Sequence, residues 1–127
     1  MQINSATELE VYQTAYSLAM DIFHTSHSFP REEAFSLTAQ IRRSSRSVCL
    51  NLREAWAKRR YEAHFVSKLT DCDGENAETE TSLQFAVDCG YVTQSAFEDF
   101  ANRNRSVGRM LGAMLNRPGP FLLKTTN

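Results

Sequence analysis

The sequence predicts an all-α protein, an antiparallel up-down-up-down bundle of four helices that forms one domain over residues 1–127. Apolar residues recur at spacings of three and four through long segments, which is the period of one helix face. The chain has only five glycines and three prolines, so few turn or strand signals compete with helix. Short connections then make consecutive helices antiparallel neighbours.

The first two helices are expected over about 7–27 and about 32–60. The first carries Leu9, Tyr12 and Tyr16 on its predicted core side and ends before Phe29-Pro30, because the residue before a proline resists helical geometry. The second begins with acidic residues and ends with the run KRR. These charges suit the positive and negative ends of the helix dipole.

The third helix is expected over about 61–89, with Gly90 as a left-handed cap. Its middle is poor in apolar residues, so either the core stripe passes through Asn76 and Thr79 or the helix is locally weak. The fourth helix is expected over about 94–116, where the run RPGP stops it. Residues 117–127 are expected to form a mobile tail.

Composition indicates a soluble globular protein, with 42% hydrophobic and 23% charged residues. No run approaches the roughly 18 apolar residues that a membrane span needs, and the N-terminus shows no secretory signal. We therefore expect a cytoplasmic location and no membrane partner. Cys49, Cys72 and Cys89 are odd in number and lack metal-binding spacing, which predicts reduced packing residues.

Two stretches carry a recognisable pattern, LEVYQTAYSLAMDIF and SFPREEAFSLTAQIRRSSRSVCLNLREA. Over about residues 9–115 the shared positions are Phe29-Pro30, Glu33, Leu37, Gln40, Arg43, Ser47, Asn51, Glu54, Gly74, Glu78, Gly90-Tyr91 and the closing VGRMLGAML. On these residues the chain resembles the bacterial four-helix-bundle family that includes proteins encoded in intervening sequences of large-subunit ribosomal RNA genes. It departs from the pattern at Ala55, Cys49 and Thr79, where glycine, proline and leucine are usual.

The resemblance implies self-assembly. A more distant relative of the fold, the accessory protein of diversity-generating retroelements, is a basic pentameric ring that binds nucleic acid and a reverse transcriptase. A homopentamer is therefore expected, with RNA or a nucleic-acid enzyme as the alternative partner. The motif residues Gln40, Arg43, Asn51 and Glu54 either satisfy polar groups within the bundle or a subunit seam, or contact a ligand.

Charge is segregated along the chain. Residues 31–60 carry eight bases and three acids, whereas residues 61–100 carry nine acids and one base. On a helical wheel, one set of basic residues forms a column on the flank of the apolar stripe of the second helix. This arginine column comprises Arg42, Arg46, Arg53 and Arg60.

Every seventh residue of the third helix forms a second surface, the Phe85 stripe, which comprises Asp71, Glu78 and Phe85 and points away from the core. An outward phenylalanine is a candidate interface anchor, and its acids could meet the arginine column of a neighbouring subunit. The alternative is that both surfaces pair within one bundle or face water.

Nucleic-acid binding is the alternative function, through the basic second and fourth helices. Arg105 and Arg109 share a solvent-facing side of the fourth helix. The pI of about 6.3 and the nine acids of residues 61–100 count against it.

No residue is predicted to be catalytic, to bind a cofactor or to bind a metal, and the chain is expected to be a non-catalytic scaffold. A di-iron site would need Glu-x-x-His pairs, which the sequence lacks. Asp21, His24 and His27 are spaced by three but are expected to be solvated polar residues. The segment DCDGEN has its glycine fourth, where a calcium loop requires it sixth.

Overall fold

A computed structural model describes residues 3–124 of the chain. Within this range the protein is all-helical, and its α-helices are α1 (Glu10–Thr25), α2 (Leu37–Ala57), α3 (Glu62–Asp88) and α4 (Gln94–Asn116). Helix α1 packs mainly against α2 and α4, and α3 packs against the same two helices. The predicted four-helix bundle is thereby confirmed.

The first two helices both begin later than the sequence predicts. Residues Ala6–Glu8 form a separate 3-10 turn, which the Ser5 hydroxyl and the Glu8 carboxylate cap reciprocally. Helix α1 follows at Glu10, and at its other end the turn Ser26–Ser28 replaces the last predicted residues.

Glu33 explains the late start of α2, because its side chain caps the helix. One carboxylate oxygen accepts hydrogen bonds from the Ser36 hydroxyl at 2.6 Å and the Leu37 amide at 3.3 Å. The other accepts from the Tyr91 hydroxyl at 2.9 Å, which ties the start of α2 to the end of α3. The Ser36 and Tyr91 bonds lower the pKa of Glu33, and Glu33 raises the pKa of Tyr91 to about 12.

The connection between α3 and α4 is built as predicted around Gly90, which has φ +78°. Its amide donates to the Val87 carbonyl at 3.0 Å, and the Tyr91 amide donates to the Ala86 carbonyl at 2.8 Å. These bonds satisfy carbonyls that the end of a helix leaves open. The Thr93 hydroxyl then accepts from the Ala96 amide at 3.1 Å and caps α4.

The core consists of two apolar clusters, one near each end of the bundle. The first surrounds Phe65, Leu69 and Leu111, and the second surrounds Ile22, Ile41 and Leu83. On every helix the members of one cluster precede those of the other along the chain. The clusters therefore stack along the bundle axis, with a short level between them that neither fills.

Polar side chains occupy the level between the clusters and form the polar layer, which comprises Ser44, Asn76, Thr79 and Asn104. The Asn76 side-chain amide donates to the Asn104 backbone carbonyl at 3.0 Å, and the Asn104 amide returns the bond to the Asn76 carbonyl at 2.9 Å. Thr79 and Ser44 share a hydrogen bond of 2.8 Å between their hydroxyls. The core stripe of α3 thus passes through Asn76 and Thr79, and the helix continues without a break.

The first part of the predicted mobile tail packs onto the bundle. Residues Gly119–Phe121 form a 3-10 turn. The Phe121 ring stacks on Phe65 with 6.4 Å between centroids, and the Leu123 amide donates to the Arg59 carbonyl at 3.3 Å. Residues 125–127 of that predicted tail lie outside the described range. Among residues 3–124, no helix has both the length and the apolar content needed to cross a membrane.

Candidate interaction site

An open groove of about 530 Å³ lies on the face between α1 and α2, and we call it the α1/α2 groove. Its lining is Tyr12, Tyr16, Ala19 and Met20 from α1 with Arg46, Cys49, Leu50 and Arg53 from α2. Three of its apolar side chains are well exposed, Tyr16 at 53%, Met20 at 39% and Leu50 at 65%. A contiguous exposed apolar surface with a polar rim is typical of an interaction site.

The groove exists because small side chains face each other between the two helices. Ala19 and Cys49 are each only 7% exposed and form its floor, while larger residues rise on both sides. Tyr12 and Tyr16 stack along α1 with 6.0 Å between ring centroids. Burial raises the pKa of the Cys49 thiol to about 11, so this thiol is protonated at neutral pH and poorly nucleophilic.

The structure separates the members of the arginine column. Arg46 and Arg53 line the groove, whereas Arg60 lies beyond the end of α2, beside Tyr61. Arg42 donates from Nε to the Ser26 hydroxyl at 2.7 Å. In the described part of the chain, none of the four column arginines lies within ion-pair distance of a carboxylate.

One aromatic ring gathers two of these arginines. The guanidinium carbons of Arg42 and Arg46 lie 4.8 and 5.3 Å from the centroid of Phe23. His24 and His27 also pack against this ring, at 5.4 and 4.6 Å between centroids. Two arginines and two histidines therefore pack around the Phe23 ring, beside the end of the groove that Met20 and Arg46 line.

The Phe85 stripe is exposed, but both of its acids are engaged within the bundle. Phe85 itself is 59% exposed. Glu78 forms an ion pair with Arg43 of α2, and Asp71 lies 3.2 Å from the Lys68 ammonium. These acids thus pair as the alternative interpretation of the sequence supposes, although their partners are not members of the arginine column.

The end of α3 keeps an acidic and aromatic surface nevertheless. Asp88 follows Phe85 by one helical turn, and its carboxylate accepts a hydrogen bond of 3.1 Å from Gln84 without an ion pair among residues 3–124. Phe35 is 99% exposed just before α2, at the same end of the bundle. Two exposed phenylalanines and a carboxylate that forms no ion pair within residues 3–124 therefore lie at this end of the bundle.

Two of the four family-motif residues, Arg43 and Glu54, link α2 to α3. Arg43 bridges to α3 through Glu75 at 3.0 Å as well as Glu78, which raises the pKa of Arg43. Glu54 lies 2.8 Å from Lys68 of α3, which lowers the pKa of Glu54. The remaining two motif residues are Asn51, whose side chain donates to the Ser47 carbonyl at 2.9 Å, and Gln40, which is exposed.

The basic residues of α4 are less available than the sequence suggests. Arg105 donates to the Glu80 carboxylate of α3 at 2.7 Å, so one of the two predicted arginines is already paired. Arg109 is exposed on the same side. The α4 surface therefore offers less free positive charge than the arginine column does.

The groove residues are the functional candidates that the sequence did not identify. The predicted core side of α1 included Tyr12 and Tyr16, yet Tyr16 is largely exposed. A usable signal exists, because the apolar side of α1 is broader than the stripe that a core-facing helix needs. The excess apolar surface of α1 and the exposed Leu50 of α2 form the groove.

The described residues hold no group of three or more His, Cys, Asp or Glu side chains placed to share a metal ion. Asp21 pairs with Arg103 of α4 at 2.8 Å. The segment DCDGEN is helical throughout within α3 and forms no loop.

Comparison with known proteins agrees with this structure. The family model for the 23S rRNA-intervening sequence protein matches residues 7–113. A crystal structure of a protein of unknown function from the S23 ribosomal protein family of Bacteroides thetaiotaomicron is 26% identical with a TM-score of 0.76, and the match covers 84% of this chain and 95% of that one. No curated protein matches. Since the family model spans most of the chain, the protein belongs to the 23S rRNA-intervening sequence protein family.

Proposed function

We propose that this protein is a non-catalytic, cytoplasmic subunit of a homo-oligomeric scaffold, a pentameric ring as its family resemblance implies. The observation that supports it is the distribution of exposed apolar surface. Large apolar side chains collect on two separate faces, the α1/α2 groove beside free arginines and the end of α3 beside carboxylates. Two unlike, complementary faces on one subunit suit head-to-tail assembly, which closes into a ring when the rotation allows.

A scaffold role also fits the chemistry of the side chains. The buried thiols Cys49 and Cys72 have pKa values raised to about 11 and about 12, chiefly by burial, so neither is an activated nucleophile. The ion pairs of Arg43 and Glu54 link α2 to α3. The surface features left to contact a partner are the shape and charge of the exposed faces, which suit binding.

Size-exclusion chromatography with light scattering tests the proposal. We expect a mass near five times the 14.4 kDa of one chain, stable on dilution into the micromolar range. A monomer at every concentration would contradict the proposed function. A stable oligomer of another size would correct the number of copies and leave the scaffold role in place.

RNA binding is a second candidate function. The observation that favours it is the packing of Arg42 and Arg46 against the Phe23 ring. Two guanidinium groups held against one ring repel each other, and a phosphate between them would relieve that repulsion. Fluorescence anisotropy with a labelled structured RNA, repeated across a salt series, measures such binding. We expect Arg42→Gln with Arg46→Gln to weaken it and Arg105→Gln, whose guanidinium is already paired, to change it little. No salt-dependent binding at low ionic strength would exclude this function.

A further inference from the structure

We infer that the α1/α2 groove receives a second copy of this chain, and that the part it receives is Phe85 with the Asp88 carboxylate beside it at the end of α3. This inference rests on the proposed function and specifies the interface between neighbouring subunits, which we call the joint. It unites two surface features that the fold of one chain does not explain, an apolar groove and an exposed phenylalanine.

Size and lining suit this occupant. A phenylalanine side chain is among the largest apolar anchors that an interface can bury, and anchors of this kind contribute most when a pocket encloses them. The groove offers about 530 Å³ and presents an aromatic ring, a thioether and a branched aliphatic side chain from Tyr16, Met20 and Leu50. Aromatic rings and methionine sulfur both pack favourably against a phenylalanine ring.

Charge favours the same pairing. The groove walls carry Arg46 and Arg53, which have no carboxylate partner within the described residues. Asp88 lies one turn after Phe85 on the outward side of α3, and its carboxylate forms no ion pair among residues 3–124. Such rim pairs contribute little affinity, but they fix the orientation of docking and reject the reversed one.

The two faces lie on different sides of the bundle. The groove lies between α1 and α2, whereas the Arg43 ion pair with Glu78 shows that the Phe85 stripe borders the side of α3 next to α2. Unlike patches on different sides of one subunit produce head-to-tail assembly, which closes into a ring where the rotation between successive copies brings the last copy back to the first.

Site-directed cross-linking tests the joint. The background is Cys89→Ser, which removes the exposed thiol and leaves the buried Cys49 and Cys72. Met20→Cys places a reactive thiol at the groove rim, and Thr81→Cys places one a turn before Phe85 while keeping that anchor. A short flexible bismaleimide joins thiols that lie close together without demanding disulfide geometry.

A head-to-tail joint predicts a distinctive pattern on a denaturing gel. The background and each variant with one introduced cysteine should remain monomeric, and a mixture of these two variants should give covalent dimers only. The double variant should give a ladder that ends at the closed ring. Cross-linking of either single variant with itself would overturn the inference in favour of a two-fold joint.

Native mass, measured on the same samples, separates the two hypotheses. An oligomer that shows no cross-link between the two positions would place its joint elsewhere and overturn this inference alone. A monomer would overturn the proposed function as well. The inference and the function it rests on therefore fail in distinguishable ways.

A matched pair of variants provides a second readout. Phe85→Ser removes the proposed anchor, and Tyr61→Ser removes an aromatic side chain that is similarly exposed at 62% but lies at the other end of α3. We expect Phe85→Ser to weaken assembly more than about tenfold and Tyr61→Ser to leave it unchanged, with both variants fully folded by circular dichroism. Equal assembly of Phe85→Ser and the unaltered chain would overturn the inference.

Discussion

The polar layer and the α1/α2 groove invert the usual distribution of residues in opposite ways. In the polar layer, amides and hydroxyls are buried at the centre of the bundle, with Asn104 only 2% exposed. In the groove, apolar side chains such as Leu50 face solvent. Buried polar groups and contiguous exposed apolar surface are the informative exceptions to the rule that apolar residues lie inside.

The two exceptions differ in whether one chain supplies the contacts that their side chains require. Asn76 and Asn104 complete each other's hydrogen bonds, so the polar layer is self-sufficient. In the described structure the groove leaves its apolar lining exposed and its two arginines without carboxylate partners. A satisfied exception contributes to the fold, and an unsatisfied one indicates a contact with another molecule.

Asn104→Ala is expected to have the largest effect on stability. It removes the bond to the Asn76 carbonyl and leaves a void between α3 and α4, so we expect a loss of about 2 kcal/mol in the free energy of unfolding. Urea denaturation followed by circular dichroism measures it. Asn102→Ala, at an exposed position of the same helix, is the control and should change stability by less than about 0.5 kcal/mol. Similar losses in both variants would mean that Asn104 contributes no more to the free energy of unfolding than an exposed asparagine does.

Two glycines of α4 give the next largest contrast. A Cβ at Gly108 would lie 3.1 Å from the Asn76 amide nitrogen, which its bond to Asn104 holds in place, whereas a Cβ at Gly112 meets no atom within 4 Å. We expect Gly112→Ala to stabilise the protein by about 0.5–1 kcal/mol through helix propensity. Gly108→Ala should fall below it by about 1 kcal/mol or more in thermal or urea unfolding. Equal gains in stability would show that the Asn76 side chain shifts to accommodate the added methyl group at little cost.

Thr79→Val should have a smaller effect, because it keeps the shape of the side chain while removing its hydroxyl. The loss of the bond to Ser44 should cost about 1 kcal/mol in urea unfolding. Adding Ser44→Ala should cost less than the sum of the two single changes, since both partners of one bond are then absent. A fully additive double variant would mean that the two hydroxyls do not depend on each other.

Leu50→Ser is expected to have the smallest effect on the stability of the single chain and a clear effect on assembly. Because Leu50 is 65% exposed, its loss should change the free energy of unfolding at low protein concentration by less than about 0.5 kcal/mol. The native mass by light scattering should fall. A large loss of stability in the monomer would mean that Leu50 contributes to the core of the single chain, and would contradict its assignment to an interaction surface.

The periodicity of apolar residues was enough to predict four helices. The glycine at position 90 was enough to predict the cap of α3, because a left-handed cap depends on local backbone geometry. Periodicity could not predict the start of α2, which depends on the Glu33 side chain and on Tyr91, far along the chain. It also treated Tyr16 as core, because a wheel shows which side is apolar without showing how far the neighbouring helix covers it.

The charged surfaces show the same limit. A wheel places Phe85 outward, and it is exposed, but the ion pairs of Glu78 and Asp71 depend on how α2 and α3 align. The groove was also invisible to the pattern, since its floor depends on two small residues, Ala19 and Cys49, that meet only in the folded bundle. Features that need two helices in register require the tertiary structure.

The paired amides of Asn76 and Asn104 also act as a stop against axial movement. If α4 slid along α3 by one helical turn, about 5.4 Å, each amide would face an apolar cluster and lose its carbonyl partner. The two hydrogen bonds therefore fix one axial register between α3 and α4. In a head-to-tail assembly, a change of this register would move the surfaces of α3 relative to those of the other helices, so a substitution in the core would alter the assembly without touching the interface.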